Sequence, residues 1–202
     1  MAATSCFFKS SQKVVILGSS IAYGTGATVL DSSWAGRLAK QTTVVNLAKS
    51  GAITANILPD TAGDPAVLSE RNVDAALRQS PTCIIISMTT NDVAAGVSVS
   101  KILSNLKSVV KHALGKGVKH VFVTTSFPRN LNGPATLIYA QQRDSTIAAF
   151  PGKTIDIYTD FIDNRSLGKP VYLTSDSLHP NNLGHKAIFT KVMEALNTVS
   201  CN

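Results

Sequence analysis

A regular alternation of short apolar runs with longer helical patterns is what most constrains the fold of this chain. Residues 13–17, 43–47, 83–88, 118–124 and 154–158 are rich in Val, Ile and Thr, the signature of β-strands. They read as continuous apolar runs, which is what strands covered on both faces require. Helical patterns lie between them. Trp34 and Leu38 stand one turn apart behind Asp31-Ser32-Ser33, a supply of N-cap side chains. Ile102, Leu103, Leu106, Val110, Ala113 and Leu114 form the clearest amphipathic stripe, with Gly115 and Gly117 as C-cap candidates. A further helix is expected over residues 135–150, stopped by Pro151-Gly152, and a last one carries Ile188, Val192 and Leu196. Strands alternating with helices specify an α/β fold: a five-stranded parallel sheet inside a three-layer α/β/α sandwich. The chain has no repeat and no linker, so residues 1–202 are expected to form a single domain, with 1–12 as an N-terminal arm.

Composition removes several other classes. Hydrophobic residues make up 44% and charged residues 15%, ample core material that argues against disorder and against a charged coiled coil. No apolar run approaches the roughly 18–20 residues of a membrane helix, so no membrane span is expected. A net charge of +7 invites a nucleic-acid reading. The basic residues are scattered from Lys9 to Lys191, however, and the nearest thing to a patch (Lys107, Lys111, Lys116, Lys119) reads as a solvated helix face. No nucleic-acid partner is expected. The three cysteines, Cys6, Cys83 and Cys201, form neither CxxC nor a Cys/His cluster, so neither a metal site nor another cofactor is expected. Cys83, inside an apolar strand, reads as a buried thiol. Nothing in the sequence isolates an oligomer interface.

In parallel α/β sheets, ligands bind at the carboxyl ends of the strands. The junction after the first strand reads Gly18-Ser19-Ser20-Ile21-Ala22-Tyr23-Gly24-Thr25-Gly26. It lacks the lysine of a phosphate-binding loop and the glycine spacing of a dinucleotide fingerprint. Two readings remain: a nucleophile turn exposing Ser20, or a polar turn whose glycines permit tight packing. After the third strand comes Asn91-Asp92, where Asn91 can donate to an oxyanion or merely cap its loop. Gly51, after the second strand, can present a backbone N–H or merely adopt positive φ. Asp176-Ser177-Leu178-His179 places a carboxylate three residues before a histidine, either to orient that imidazole or to cap a helix. His112, His120 and His185 lack such a neighbour and read as surface or packing residues.

Taken together, Gly18-Ser19-Ser20, Gly51 following Asn46, Asn91-Asp92 and Asp176-x-x-His179-Pro180 resemble the four sequence blocks of the SGNH (GDSL) hydrolases, over most of the chain. The resemblance implies a flavodoxin-like strand order, 2-1-3-4-5. It implies Ser20 as nucleophile, His179 as base and Asp176 as its orienting partner. The Ser20 N–H, the Gly51 N–H and the Asn91 side chain would form the oxyanion hole. Two positions depart from the family pattern: Ser19 stands where Asp is usual, and Thr89 where the third block has Gly.

The activity expected is serine-dependent hydrolysis of short-acyl esters, acetyl above all, of small molecules or carbohydrates, through an acyl-enzyme. A lipase- or thioesterase-like member, an acyltransferase and a non-catalytic glycan- or partner-binding member are the alternatives. Thr89, Phe127 and Arg129 are the candidate substrate contacts. In the inferred fold both termini fall at the edge opposite the site, so Cys6 and Cys201 either form a disulfide or remain free thiols. The N-terminus lacks the basic and apolar regions of a signal peptide, and a mature secreted or periplasmic protein is expected.

Overall fold

Five parallel strands form one sheet in the order β2-β1-β3-β4-β5. They are β1 (Lys13–Gly18), β2 (Thr43–Asn46), β3 (Cys83–Ser87), β4 (His120–Thr124) and β5 (Thr154–Ile155). This computed structural model describes residues 12–130 and 135–199 of the chain. Register pairs Gly18 with Ser87, so β1 and β3 end together at the carboxyl edge. Strand order reverses between these two strands, and this is where an α/β sheet opens a crevice.

Side chains alternate across the sheet because the pleat has a period of two. Val15, Leu17, Ile84 and Ile86 face one core with Ile102, Leu106 and Val109. Those helical residues belong to α5 (Val99–Gly115). On that side α6 (Ala135–Ala149) contributes Tyr139. Val14, Ile16, Cys83 and Ile85 face the other core. There they meet Trp34 and Leu38 of α2 (Trp34–Ala39) and Ile188, Val192 and Leu196 of α7 (Asn182–Thr198). Ser33 caps α2 by accepting from the Gly36 N–H at 3.0 Å. Burial pushes the Cys83 thiol up to about 12, far from thiolate chemistry at neutral pH.

The structure changes several details. β4 starts at His120, two residues later than its apolar run. β5 has two residues rather than five. Its extension is stopped by Asp156, whose Oδ1 accepts from the Tyr158 and Thr159 N–H groups at 2.9 and 3.2 Å and from Thr125 Oγ1 at 3.1 Å. A short helix without a strong periodic signal, α3 (Val73–Arg78), fills the crossover from β2 to β3, capped by Asn72. Cys6 and Cys201 lie outside the described residues, as does the N-terminal arm apart from Gln12. No described helix is long and apolar enough to cross a membrane.

Candidate active site

The turn after β1 is pinned before it can vary. The Ser19 N–H donates to the Ser87 carbonyl at 3.1 Å, stitching the turn to the end of β3. Ser19 is 3% exposed. Ser20 opens the one-turn helix α1 (Ser20–Tyr23) and is half-buried at the carboxyl edge.

Across 159 residues of sequence, His179 Nε2 lies 3.0 Å from Ser20 Oγ. On its other side His179 Nδ1 is 2.7 Å from Asp176 Oδ2. The second carboxylate oxygen, Asp176 Oδ1, accepts from Thr174 Oγ1 at 2.6 Å and from the Leu178 and His179 N–H groups at 2.8 and 3.0 Å. Burial alone would raise the Asp176 pKa. The hydrogen bonds from His179, Thr174 and the backbone outweigh it and hold this carboxyl far below the usual range. An ionised, fully engaged carboxylate therefore orients the imidazole with Nε2 toward Ser20. The loop is anchored too: the Asn130 N–H donates to the Ser177 carbonyl at 3.0 Å, and Gly26 packs from below. Gly26 has φ +96°, and a Cβ there would fall 2.2 Å from the Pro180 carbonyl oxygen. Only glycine fits that contact.

The remaining junctions meet this edge through explicit bonds. Asn46 Nδ2 donates to the Ala22 carbonyl at 2.8 Å, and the Lys49 N–H to the Gly18 carbonyl at 3.0 Å. Gly51 has φ +80°, with open space where a side chain would stand. Asn91 lies on α4 (Thr90–Ala94), and its Nδ2 donates to the Ala52 carbonyl at 3.0 Å. One amide hydrogen of Asn91 is thus used for orientation, and the amide nitrogen carries a second that is able to donate. Beside it, buried Asp92 accepts from the Thr54 N–H at 2.9 Å and from Thr54 Oγ1 at 2.5 Å, and Asn105 Nδ2 donates to Thr54 Oγ1. Burial is the larger effect here and raises the Asp92 pKa, although the Thr54 hydrogen bonds oppose it. This clamp ties the segment bearing Gly51 to the segment bearing Asn91, a role that sequence reasoning missed because its partners lie 38 and 51 positions apart.

Two expected substrate contacts are corrected. Thr89 is 0% exposed and Phe127 1% exposed, so neither presents surface to a ligand. Phe127 packs edge-on against Phe161 at 5.2 Å, and the Thr89 hydroxyl turns inward to Ser126 at 2.8 Å. Arg129 is half-buried with its guanidinium 5.6 Å from the Tyr139 ring. His112 does have a carboxylate partner, Asp74 Oδ1 at 2.7 Å, brought to it by the packing of α3 on α5. His185 is a packing residue, as expected. Its Nδ1 accepts from the Trp34 N–H at 3.3 Å and its Nε2–H donates to the Thr25 carbonyl at 3.1 Å. Among the described residues, no group of three or more His, Cys, Asp or Glu is arranged to hold a metal ion.

Comparison with known proteins follows the same lines. The fold is shared with the psychrotrophic esterase EstA of a Pseudoalteromonas species (TM-score 0.69, 20% identity, 95% of this chain and 100% of that one). It is also shared with a GDSL-like lipase of Bacteroides thetaiotaomicron (TM-score 0.73, 18% identity, 93% and 88%). A variant of a Geobacillus acetyl-xylooligosaccharide esterase superposes with TM-score 0.70 at 16% identity, over 94% and 95% of the two chains. A search of curated protein sequences finds no match. The model of the GDSL-like lipase/acylhydrolase family matches residues 16–187, a span that contains Ser20, Asn91, Asp176 and His179. This chain therefore belongs to the GDSL-like lipase/acylhydrolase family and is a carboxylic ester hydrolase of the SGNH type.

Proposed function

We propose that the protein hydrolyses short-acyl esters, acetyl esters above all, with Ser20 as nucleophile. The observation that carries this reading is the continuous hydrogen-bonded chain Ser20 Oγ–His179–Asp176. His179 Nε2 takes the proton from Ser20 Oγ as that oxygen attacks the ester carbonyl, and returns it to the departing alcohol. The new negative charge on the carbonyl oxygen is met by the Ser20 N–H, the Gly51 N–H and the free amide hydrogen of Asn91. A water deprotonated by His179 then cleaves the acyl-enzyme, releasing the acid and restoring Ser20.

A short acyl group suits a site whose candidate contacts Thr89 and Phe127 are both taken into the core. Arg129 is the remaining candidate contact. A carbohydrate alcohol as leaving group accords with two similar folds: the acetyl-xylooligosaccharide esterase and a two-domain esterase active on acetylated mannans. Of that second chain only 50% is covered. An extracytoplasmic setting belongs to the same reading, and intact mass before and after thiol alkylation tests its corollary, a Cys6–Cys201 bridge.

The deciding experiment compares p-nitrophenyl acetate, butyrate and octanoate, and acetate release from acetylated xylo-oligosaccharides, for the wild type and Ser20→Ala. The expected result is a Ser20-dependent rate that falls with acyl length. Activity surviving in Ser20→Ala refutes the nucleophile. A rate rising towards octanoate refutes the short-acyl reading, and transfer to an added alcohol in preference to water turns it towards an acyltransferase.

A further inference from the structure

The junction between β3 and α4 is built in a way that its sequence does not lead one to expect. Thr89 has φ +84° and ψ −28°, a conformation favoured by glycine and unfavourable for a β-branched residue. The side chain is nevertheless wholly buried and held. Gln142 Oε1 accepts from the Ser126 N–H at 3.2 Å and can only accept, so the Ser126 hydroxyl, 2.7 Å away, donates to it. That commitment leaves Ser126 Oγ as acceptor for the Thr89 hydroxyl at 2.8 Å. The far end of the chain is fixed by Gln142 Nε2 donating to Thr146 Oγ1 at 2.6 Å. Thr89, Ser126, Gln142 and Thr146 are each 0% exposed. A one-way relay of hydrogen-bond donation thus runs from Thr89, where the backbone leaves the sheet, through Ser126 into Gln142 and Thr146 of α6.

Two residues further on is Asn91. Its side chain is bonded to the Ala52 carbonyl, and the intervening Thr90 carbonyl accepts from Tyr139 OH at 3.2 Å, so α6 grips this turn twice. The Thr89 hydroxyl is used on Ser126 and makes no side-chain cap bond to α4. A helix cap is therefore not what retains a strained threonine here. Strain of this kind persists only where the surroundings over-determine it, and it clusters at functional sites.

We infer that Thr89 is a positioning residue: its buried hydroxyl, anchored through Ser126 to Gln142, locks the strand-to-helix turn that aims the Asn91 amide at the oxyanion. This rests on the active-site reading above and adds to it a device absent from the glycine that the family pattern has at this position. A glycine would reach the same φ freely and would hold nothing.

The test is a double-mutant cycle between Thr89→Gly and Asn91→Ala, with p-nitrophenyl acetate as substrate. Thr89→Gly accepts the native backbone and should fold, as circular dichroism and urea unfolding will report. In the wild-type background it should lower kcat between about tenfold and about hundredfold with KM little changed. Thr89→Ser, which keeps the hydroxyl, should restore kcat. Ser126→Ala, which leaves residue 89 untouched, should reproduce the loss. In the Asn91→Ala background the effect of Thr89→Gly should shrink to less than about twofold, since the group it aims is gone. Equal losses in both backgrounds would overturn the inference, as would a Thr89→Gly enzyme with altered stability and unchanged kcat. Ser20→Ala run alongside separates the two levels. If activity survives it, the active-site reading itself is wrong; if activity is Ser20-dependent but indifferent to Thr89, only the positioning role is.

Discussion

Lowering the pH should weaken this fold through His185, a residue outside the reaction. The ring is 0% exposed and holds the neutral form with its hydrogen on Nε2, bridging the Trp34 N–H and the Thr25 carbonyl. A proton on Nδ1 would face another donor. Burial, helped by the charges of Arg37 and His179 and opposed by the Thr25 carbonyl, pushes its pKa down from an ordinary 6.5 to about 4. The folded value is the lower one, so above pH 6.5 both states are neutral and His185 contributes no pH dependence. Between pH 6.5 and about 4 the unfolded chain takes up a proton that the folded chain refuses, and stability falls by at most about 1.4 kcal/mol per pH unit. The loss should be about 2 kcal/mol at pH 5 and level off near 3 kcal/mol below pH 4. That is a large fraction of the roughly 5–15 kcal/mol available to a domain. Urea unfolding of the wild type and His185→Gln from pH 7.5 to 4.5 isolates the contribution, because the other titrations cancel in the difference. The wild type should lose about 2 kcal/mol more than the variant between pH 7 and pH 5. Parallel curves would refute the reasoning.

Three further outcomes follow from the site. Asp176→Asn offers Nδ1 no ionised acceptor and should lower kcat by about 10³–10⁴-fold; a loss below tenfold would mean that His179 is oriented by other bonds. Gly26→Ala drives a methyl group into the Pro180 carbonyl and should lower both the thermal midpoint and kcat, because the displaced loop carries His179. Thr54→Ala strips the buried Asp92 carboxylate of its side-chain donor and should cost about 1.5–3 kcal/mol in urea unfolding; an unchanged midpoint would show that the clamp contributes no stability.

What could be read in advance divides along physical lines. The central strands β1, β3 and β4 were legible because burial on both faces forces β-branched runs, and Asp176 with His179 because they stand three residues apart. Pairing of Ser20 with His179 is a tertiary event, and only the resemblance linked them. β5 ends early where the Asp156 carboxylate takes up the Tyr158 and Thr159 N–H groups, a turn contact that a hydropathy pattern does not register. Thr89 and Phe127 were placed correctly at the carboxyl edge, but position along a strand does not say which way a side chain turns beyond its end. The bond between His112 and Asp74 likewise arises only when α3 packs on α5. Of the candidate site, the proposed reacting groups were visible in the sequence, their pairing only through the resemblance, and the scaffolding beneath them was not.

Ser20, the proposed nucleophile, comes from the first strand–helix junction and His179, the proposed base, from the loop before the last helix, and their contact spans 159 residues. During synthesis Ser20 emerges long before His179, so the pair cannot form until nearly the whole chain is made. The loop bearing His179 leads directly into α7, which seats Ile188, Val192 and Leu196 in one core with Trp34 and Leu38. The proposed pair therefore assembles late in chain synthesis, and the regain of hydrolysis after denaturation should report the packing of the C-terminal segment as well as formation of the sheet.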